Sequence, residues 1–356
     1  MNNLVADFSM EEVKSGKDIQ FDRLLKSIQR DFGSKVMQGF ADDSVIEVML
    51  NPDGRVWFDQ FGVGMFDTGA RIPAHQAEKL FQTIASMLGQ EAGARNQIIE
   101  GELPGYGFRF EGLMNPAVAA PTFAIRKKAK KIFTLEEYES KGILSFKNDP
   151  KNISSRKVVD FATSVRGKPH IEIIREAVRL RKNILVVGST GSGKTTLVNA
   201  VLDTFNKLTP DDRVVMIEDT LEIQCNMPNR VELRANIYCT MMQLLKATMR
   251  LRPDRICVGE VRGPEVLALL MAWNTGHPGG LATIHADDAV KGLLRIEQLI
   301  GQDPTQKPNP QTIADTIDLV MFIEKDTEIE GGRKIREVLV VKGYDHINKR
   351  YDVEMV

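Results

Sequence analysis

Gly188-Ser189-Thr190-Gly191-Ser192-Gly193-Lys194-Thr195 fits G-x-x-x-x-G-K-[ST] at every fixed position. Each fixed residue has a mechanical job. The glycines let backbone N–H groups turn inward around phosphates. Lys194 brings a point charge to the β- and γ-phosphates, and the Thr195 hydroxyl can ligate Mg²⁺. The flanks agree. Asn183-Ile184-Leu185-Val186-Val187 reads as a short buried strand, and residues 196–202, beginning at Thr196, carry apolar side chains at helical spacing. A strand, a glycine loop and a helix N-terminus set phosphates at the positive end of a helix dipole. ATP with Mg²⁺ is the expected ligand, held by residues 188–196.

Outward from this loop, strand-like and helix-like segments alternate. The apolar runs are 183–187, 214–217, 255–258, 281–284 and 319–323. Helical spacing falls near 172–182, 195–207, 240–251, 264–275 and 289–300. Such alternation predicts an α/β domain with a mostly parallel sheet. Residues 302–310 read as a polar loop, and 336–356 as two antiparallel strands around residues 345–348.

The first part of the chain reads differently. Residues 42–50, 51–54 and 55–59 suggest strand, tight turn and strand. A helix is expected over 74–88, then strands at 107–113 and 122–126. This is a smaller α+β domain. A charged, proline-containing zone follows, including Arg126-Lys127-Lys128-Ala129-Lys130-Lys131, which suits a solvated linker face or contact with phosphate or anionic lipid. The expected organisation is a flexible N-terminus at 1–20, an α+β domain at 21–130, a linker at 131–160 and an ATPase domain at 161–356.

Composition narrows the classes. The 356 residues suffice for two domains, and 47 Lys+Arg against 48 Asp+Glu gives no general pull toward nucleic acid or anionic membrane. The first 20 residues lack the apolar core of a secretory signal, and no stretch approaches about 18 uncharged apolar residues. Three dispersed cysteines, Cys225, Cys239 and Cys257, argue against a disulfide framework or a cysteine zinc site and fit a reducing cytoplasm.

A parallel sheet places ligands beyond the carboxyl ends of its strands. Past 214–217 come Glu218 and Asp219, past 255–258 come Glu260 and Arg262, and past 281–284 comes His285. Four strands thus deliver a lysine, acids and a histidine to one edge. Phosphoryl transfer to water needs charge neutralisation, Mg²⁺ placement and an oriented water. Lys194 and Mg²⁺ meet the first. Glu260 suits the acid facing Mg²⁺, directly or through a water, alongside Thr195. Glu218 suits activation of water, and the two roles are interchangeable at this level. His285 is a candidate for polarising the γ-phosphate or for coupling the site to a moving element, and His277 lies in a glycine-rich loop. Arg250, Arg252 and Arg255 suit phosphate contact or pairing with acids across an interface.

Four blocks in this order resemble the traffic ATPases of secretion systems, within them the type IV secretion and conjugal-transfer branch. They are the phosphate loop; Ile217-Glu218-Asp219-Thr220-Leu221-Glu222-Ile223, similar to an aspartate box; residues 249–262, similar to a Walker B segment; and residues 275–286, similar to a histidine box. Arg109-Phe110-Glu111-Gly112 and Phe123-Ala124-Ile125-Arg126-Lys127 resemble N-terminal segments whose arginines reach the nucleotide, which implicates Arg109 and Arg126. The resemblance implies a homo-hexamer of RecA-like motors with PAS-like N-terminal domains. It implies ATP between the two domains, and an N-terminal domain that closes on the motor around the linker. It places the ring on the cytoplasmic face of the inner membrane, beside secretion-channel subunits, moving a protein or protein–DNA substrate without sequence-specific nucleic-acid binding. Three scattered cysteines cannot form the four-cysteine zinc module of many type II secretion ATPases. Pilus-retraction motors are the nearest enzymatic alternative. A nucleic-acid translocase fits less well, because 6% aromatic residues and near-neutral charge predict no stacking platform. A nucleotide-gated scaffold would need no water-activating acid.

Overall fold

Ser15 opens the described part of the chain with a capping box. Its side chain accepts from the Asp18 N–H, and the Asp18 carboxylate accepts from the Ser15 N–H at 3.0 Å. The computed structural model describes residues 15–128, 134–144 and 161–356. Helix α1 (Gly16–Ala41) therefore begins inside the segment expected to be flexible, because the cap satisfies its first N–H groups. Residues 1–14 of that expectation lie outside the described residues. Buried Ile28, Phe32, Val36 and Phe40 recur every four residues and hold α1 on the first sheet.

That sheet contains β1 (Val45–Leu50), β2 (Arg55–Gln60), β3 (Gly64–Arg71), β4 (Ile98–Leu103), β5 (Phe108–Leu113) and β6 (Thr122–Arg126), with α2 (Ala74–Met87) between β3 and β4. The order is β3-β2-β1-β6-β5-β4, and every pairing is antiparallel. Of the basic run, Lys127 Nζ donates to the Gly39 carbonyl at 2.8 Å and is anchored by it, whereas Lys128 pairs with Glu102 at 3.1 Å on the exposed surface, as a solvated face requires. The expected linker lies partly outside the described residues; within it runs α3 (Leu135–Ser140).

The second unit has α4 (Phe161–Val165), α5 (His170–Arg179), β7 (Ile184–Val187), α6 (Lys194–Leu208), β8 (Val214–Glu218), β9 (Arg230–Arg234), α7 (Met241–Thr248), β10 (Arg255–Val258), α8 (Glu265–Asn274), β11 (Leu281–Ile284), α9 (Ala289–Ile300), α10 (Pro310–Thr316), β12 (Leu319–Lys325), β13 (Arg333–Asp345) and β14 (Arg350–Met355). Its order is β14-β13-β12-β7-β11-β10-β8-β9. The six strands from β12 to β9 run parallel, and β12-β13-β14 is antiparallel. Helices cover both faces, which is why β7, β8, β10 and β11 read as unbroken apolar runs. Asn183 pins the start of β7: its Oδ1 accepts from the Gly279 and Gly280 N–H groups at 2.8 and 3.0 Å.

The two units share one apolar core. Met49, Trp57, Leu113, Ala117, Val118 and Ala124 of the first pack in the same cluster as Val215, Leu233, Leu245 and Val258 of the second. Val118 bridges Leu233, and the Arg234 N–H donates to the Ala117 carbonyl at 2.7 Å. Gln97 and Asn236 exchange amide hydrogen bonds at 3.0 and 2.9 Å.

A buried acid marks this interface. Glu111 is 1% exposed, with Arg250 Nη1 3.3 Å from its Oε2, and its Oε1 has no hydrogen-bond partner among the described residues. Burial pushes its carboxyl up to about 8, opposed by the Arg109 guanidinium. The folded chain thus holds a proton that the unfolded chain releases above its ordinary carboxylate range. Stability from this group is complete below that range and is lost as pH rises through about 8. Glu111→Gln is expected to gain stability over the parent on the order of a few kcal/mol at pH 9, and little at pH 5. Urea titrations at the two pH values check this, and an equal gain at both would refute it.

Candidate active site

The chain turns from β7 straight into the phosphate loop. Gly191 and Gly193 take left-handed φ of 71° and 102°, and Gly193 caps α6. A Cβ on Gly188 would come within 2.5 Å of Ser192 Oγ, and one on Gly193 within 2.8 Å of Arg333 Nε. The loop backbone is therefore left bare, as close approach of phosphate requires.

Lys194, 8% exposed, folds back on the loop. Its Nζ donates to the Gly188 and Ser189 carbonyls at 2.9 and 3.0 Å and lies 3.2 Å from His285 Nδ1. Burial pulls its ammonium below the usual lysine range, and Glu260 opposes that. An ammonium only donates, so His285 Nδ1 accepts and the imidazole proton sits on Nε2. Nε2 in turn donates to Glu260 Oε1 at 2.8 Å. Arg262 Nη2 donates to Glu260 Oε2 at 2.8 Å, and Nη1 pairs with Asp219. One unbroken line therefore runs Lys194–His285–Glu260–Arg262, joining the loop after β7 to the ends of β11 and β10.

Glu218, the last residue of β8, lies beside this line. Its Oε1 accepts from the Glu222 and Ile223 N–H groups at 3.1 Å each, and its methylene lies 2.8 Å from where a Cβ on Gly259 would be. Burial pushes its carboxyl above the usual range despite those two bonds. The Thr195 hydroxyl donates to Glu222 Oε2 at 3.4 Å.

These groups line a cavity of about 470 Å³, together with Thr190, Gly191, Thr196 and Thr283. Gly188 and Ser192 belong to the loop but do not line the cavity; Ser192 Oγ is buried without a hydrogen-bond partner among the described residues. Ser189 lines an adjoining cavity with His285, Lys291 and Arg295. Two charged residues in the main cavity are not among the sequence candidates. Glu222 lies within the segment similar to an aspartate box, and Arg333 stands at the start of β13.

The family described as Type II/IV secretion system protein matches residues 153–326. The conjugal transfer protein TrbB of Rhizobium radiobacter is 41% identical over 93% of this chain and 94% of its own. The chain belongs to this secretion-system family, in its type IV secretion and conjugal-transfer branch. The type IV secretion system protein VirB11 of Bartonella quintana is 30% identical, covering 87% of this chain and 90% of its own. The crystal structure of the VirB11 ATPase of the Brucella suis type IV secretion system, in complex with sulphate, shares the fold, with a TM-score of 0.79 at 24% identity over 90% of this chain and 96% of that one.

The remaining candidates of this family member lie elsewhere. Arg109 and Arg126 line a separate basic cavity with Lys127 and Lys128, and Arg126 sits 3.6 Å from buried Glu47. No residue of the first unit lines the phosphate-loop cavity among the described residues. Within one chain, the structure does not bring these arginines to the loop. Arg250 pairs with Glu100 and Glu111, and Arg252 with Asp59 at 2.9 Å, so both hold the two units together. Arg255 is fully buried against Asp212. His277 Nδ1 is 2.8 Å from the Pro253 carbonyl and does not reach the cavity. None of these four lines the phosphate-loop cavity. All three cysteines are buried and free. No helix among the described residues is long and apolar enough to cross a membrane.

Proposed function

We propose that this type IV secretion family member hydrolyses ATP as the motor of a conjugal-transfer or secretion channel. The line Lys194–His285–Glu260–Arg262 carries the reading, because it couples a phosphate-binding lysine to an acid at a second strand end. A static nucleotide clamp needs no such coupling. Among the described residues no group of three or more His, Cys, Asp or Glu side chains could hold a metal by itself. Mg²⁺ therefore fits only in company with phosphate oxygens, with Thr195 and Glu260 as the protein groups. Bound there, it would neutralise developing charge on the β- and γ-phosphates.

The chain's own residues supply the rest. Lys194 exchanges two loop carbonyls for phosphate oxygens. That movement frees His285 Nδ1, so occupancy of the loop is transmitted through the imidazole to Glu260. Glu218 is the better base: its raised affinity for protons and its anchored Oε1 leave Oε2 to accept a proton from water. Glu260, held by His285 and Arg262, orients the metal side.

The wider reading is a hexameric ring of RecA-like motors with PAS-like first domains, peripheral to the cytoplasmic face of the inner membrane beside channel subunits. In such a ring Arg109 and Arg126 of one chain are available to the neighbour's nucleotide. The test is Mg²⁺-dependent phosphate release by the purified chain and by Lys194→Ala. ATP affinity should weaken about tenfold or more in the variant, the loss of one charge-assisted contact. Equal turnover and equal affinity in the two proteins would sink the motor reading.

A further inference from the structure

Lys325 ends β12, and Arg333 begins β13 directly opposite it in the antiparallel register. Directly opposed residues share a face of the sheet. β12 lies beside β7 in parallel, so its carboxyl end reaches the loop that follows β7. Both cations accordingly stand over the phosphate loop. The Lys325 Nζ is 3.5 Å from the Cβ position of Gly191, and the Arg333 Nε is 2.8 Å from that of Gly193. Arg336 braces the base of this hairpin by pairing with Glu324 at 2.5 Å and with buried Asp326 at 3.0 Å.

The other cavity arginine, Arg262, is taken by Glu260 and Asp219. Arg333 lines the same cavity, and no acid among the described residues pairs with it. Position along the sheet then separates the two ends of a triphosphate. Glu218, Glu260 and His285 stand at the carboxyl ends of β8, β10 and β11, all on one side of β7, whereas Lys325 and Arg333 come from the other side. A γ-phosphate held by Lys194 among those acids leaves the nucleoside end of the ligand toward β12.

We infer that Arg333, assisted by Lys325, is a positioning residue that grips the α-phosphate and nucleoside end of the nucleotide. This rests on the ATPase reading above. It also gives Gly193 a second reason to lack a side chain, since one there would displace the guanidinium as well as strain the loop.

The experiment compares the full-length parent with Arg333→Ala, Arg333→Lys and Lys325→Ala, measuring ADP and ATP affinity by calorimetry and then steady-state turnover. Arg333→Ala should weaken ADP and ATP alike by about ten- to a hundredfold. KM for ATP should rise in step, and kcat should stay within about twofold. Arg333→Lys should recover part of the loss, and Lys325→Ala should shift affinity in the same direction by less. The nucleotide-free melting temperature should not move, which separates binding from folding. Unchanged ADP affinity in Arg333→Ala overturns the inference, and so does a fall in kcat at constant ADP affinity. If Arg333→Ala does not fold, unchanged ADP affinity in Lys325→Ala and Arg333→Lys overturns it instead. A parent that hydrolyses ATP beside an unaffected Arg333→Ala sinks this inference alone. A parent that binds no nucleotide sinks the functional reading with it.

Discussion

Glu218→Gln is expected to keep ATP bound while lowering turnover by about 10²- to 10⁴-fold, the usual share of a general base. Glutamine keeps the shape and can still accept from the Glu222 and Ile223 N–H groups, so the turn after β8 survives. What it cannot do is take a proton from water. The parent carries the corresponding pH signature. Burial raises the affinity of Glu218 for protons, and a base acts only when ionised, so kcat should fall as pH drops through that raised range. Single-turnover hydrolysis and nucleotide affinity across pH 5–8 measure both effects. A Glu218→Gln protein with parental kcat would hand the base role to Glu260, the other acid at this edge.

Arg255→Ala should cost about 3–5 kcal/mol of stability, the range for removing one member of a buried ion pair. The guanidinium is fully buried. It donates to Asp212 at 2.6 Å, to the Gly279 carbonyl at 2.9 Å and to the Val178 carbonyl at 3.0 Å, and it lies 4.4 Å from the Phe205 ring centroid. Alanine leaves two carbonyls and a carboxylate facing a hole. Against total stabilities of about 5–15 kcal/mol, such a loss removes a large share of the folding free energy. Urea denaturation gives the size. If the variant kept parental stability but lost ATP affinity, Arg255 would be a phosphate ligand after all.

Those two residues show how far the sequence could be read. Glu218 was legible because a parallel sheet converts position in sequence into position in space: whatever follows an apolar run stands at the ligand edge. Arg255 was not, because the same rule says nothing of a strand's first residue. The three neighbouring arginines looked like one group, yet Arg252 takes a left-handed φ of 61°, and the turn there sends Arg250 and Arg252 to the first unit and Arg255 inward. Helix α1 carried a four-residue apolar repeat at Ile28, Phe32, Val36 and Phe40 that its many charges obscured. Strands β3, β4 and β9 were missed for a related reason: all three are sheet edges, short of fully buried faces, and rich in charge or glycine. Helix α10 hid behind Pro310, which sits at its first position, where a proline costs nothing. Arg333 had no local signal at all, since its place depends on the register of a hairpin.

The apolar cluster shared by the two units has a mechanical consequence. To swing against the second unit, the first would have to pull Trp57, Leu113 and Val118 away from Leu233 and its neighbours and expose both surfaces to water. A chain assembled in this way behaves as a stiff crank arm.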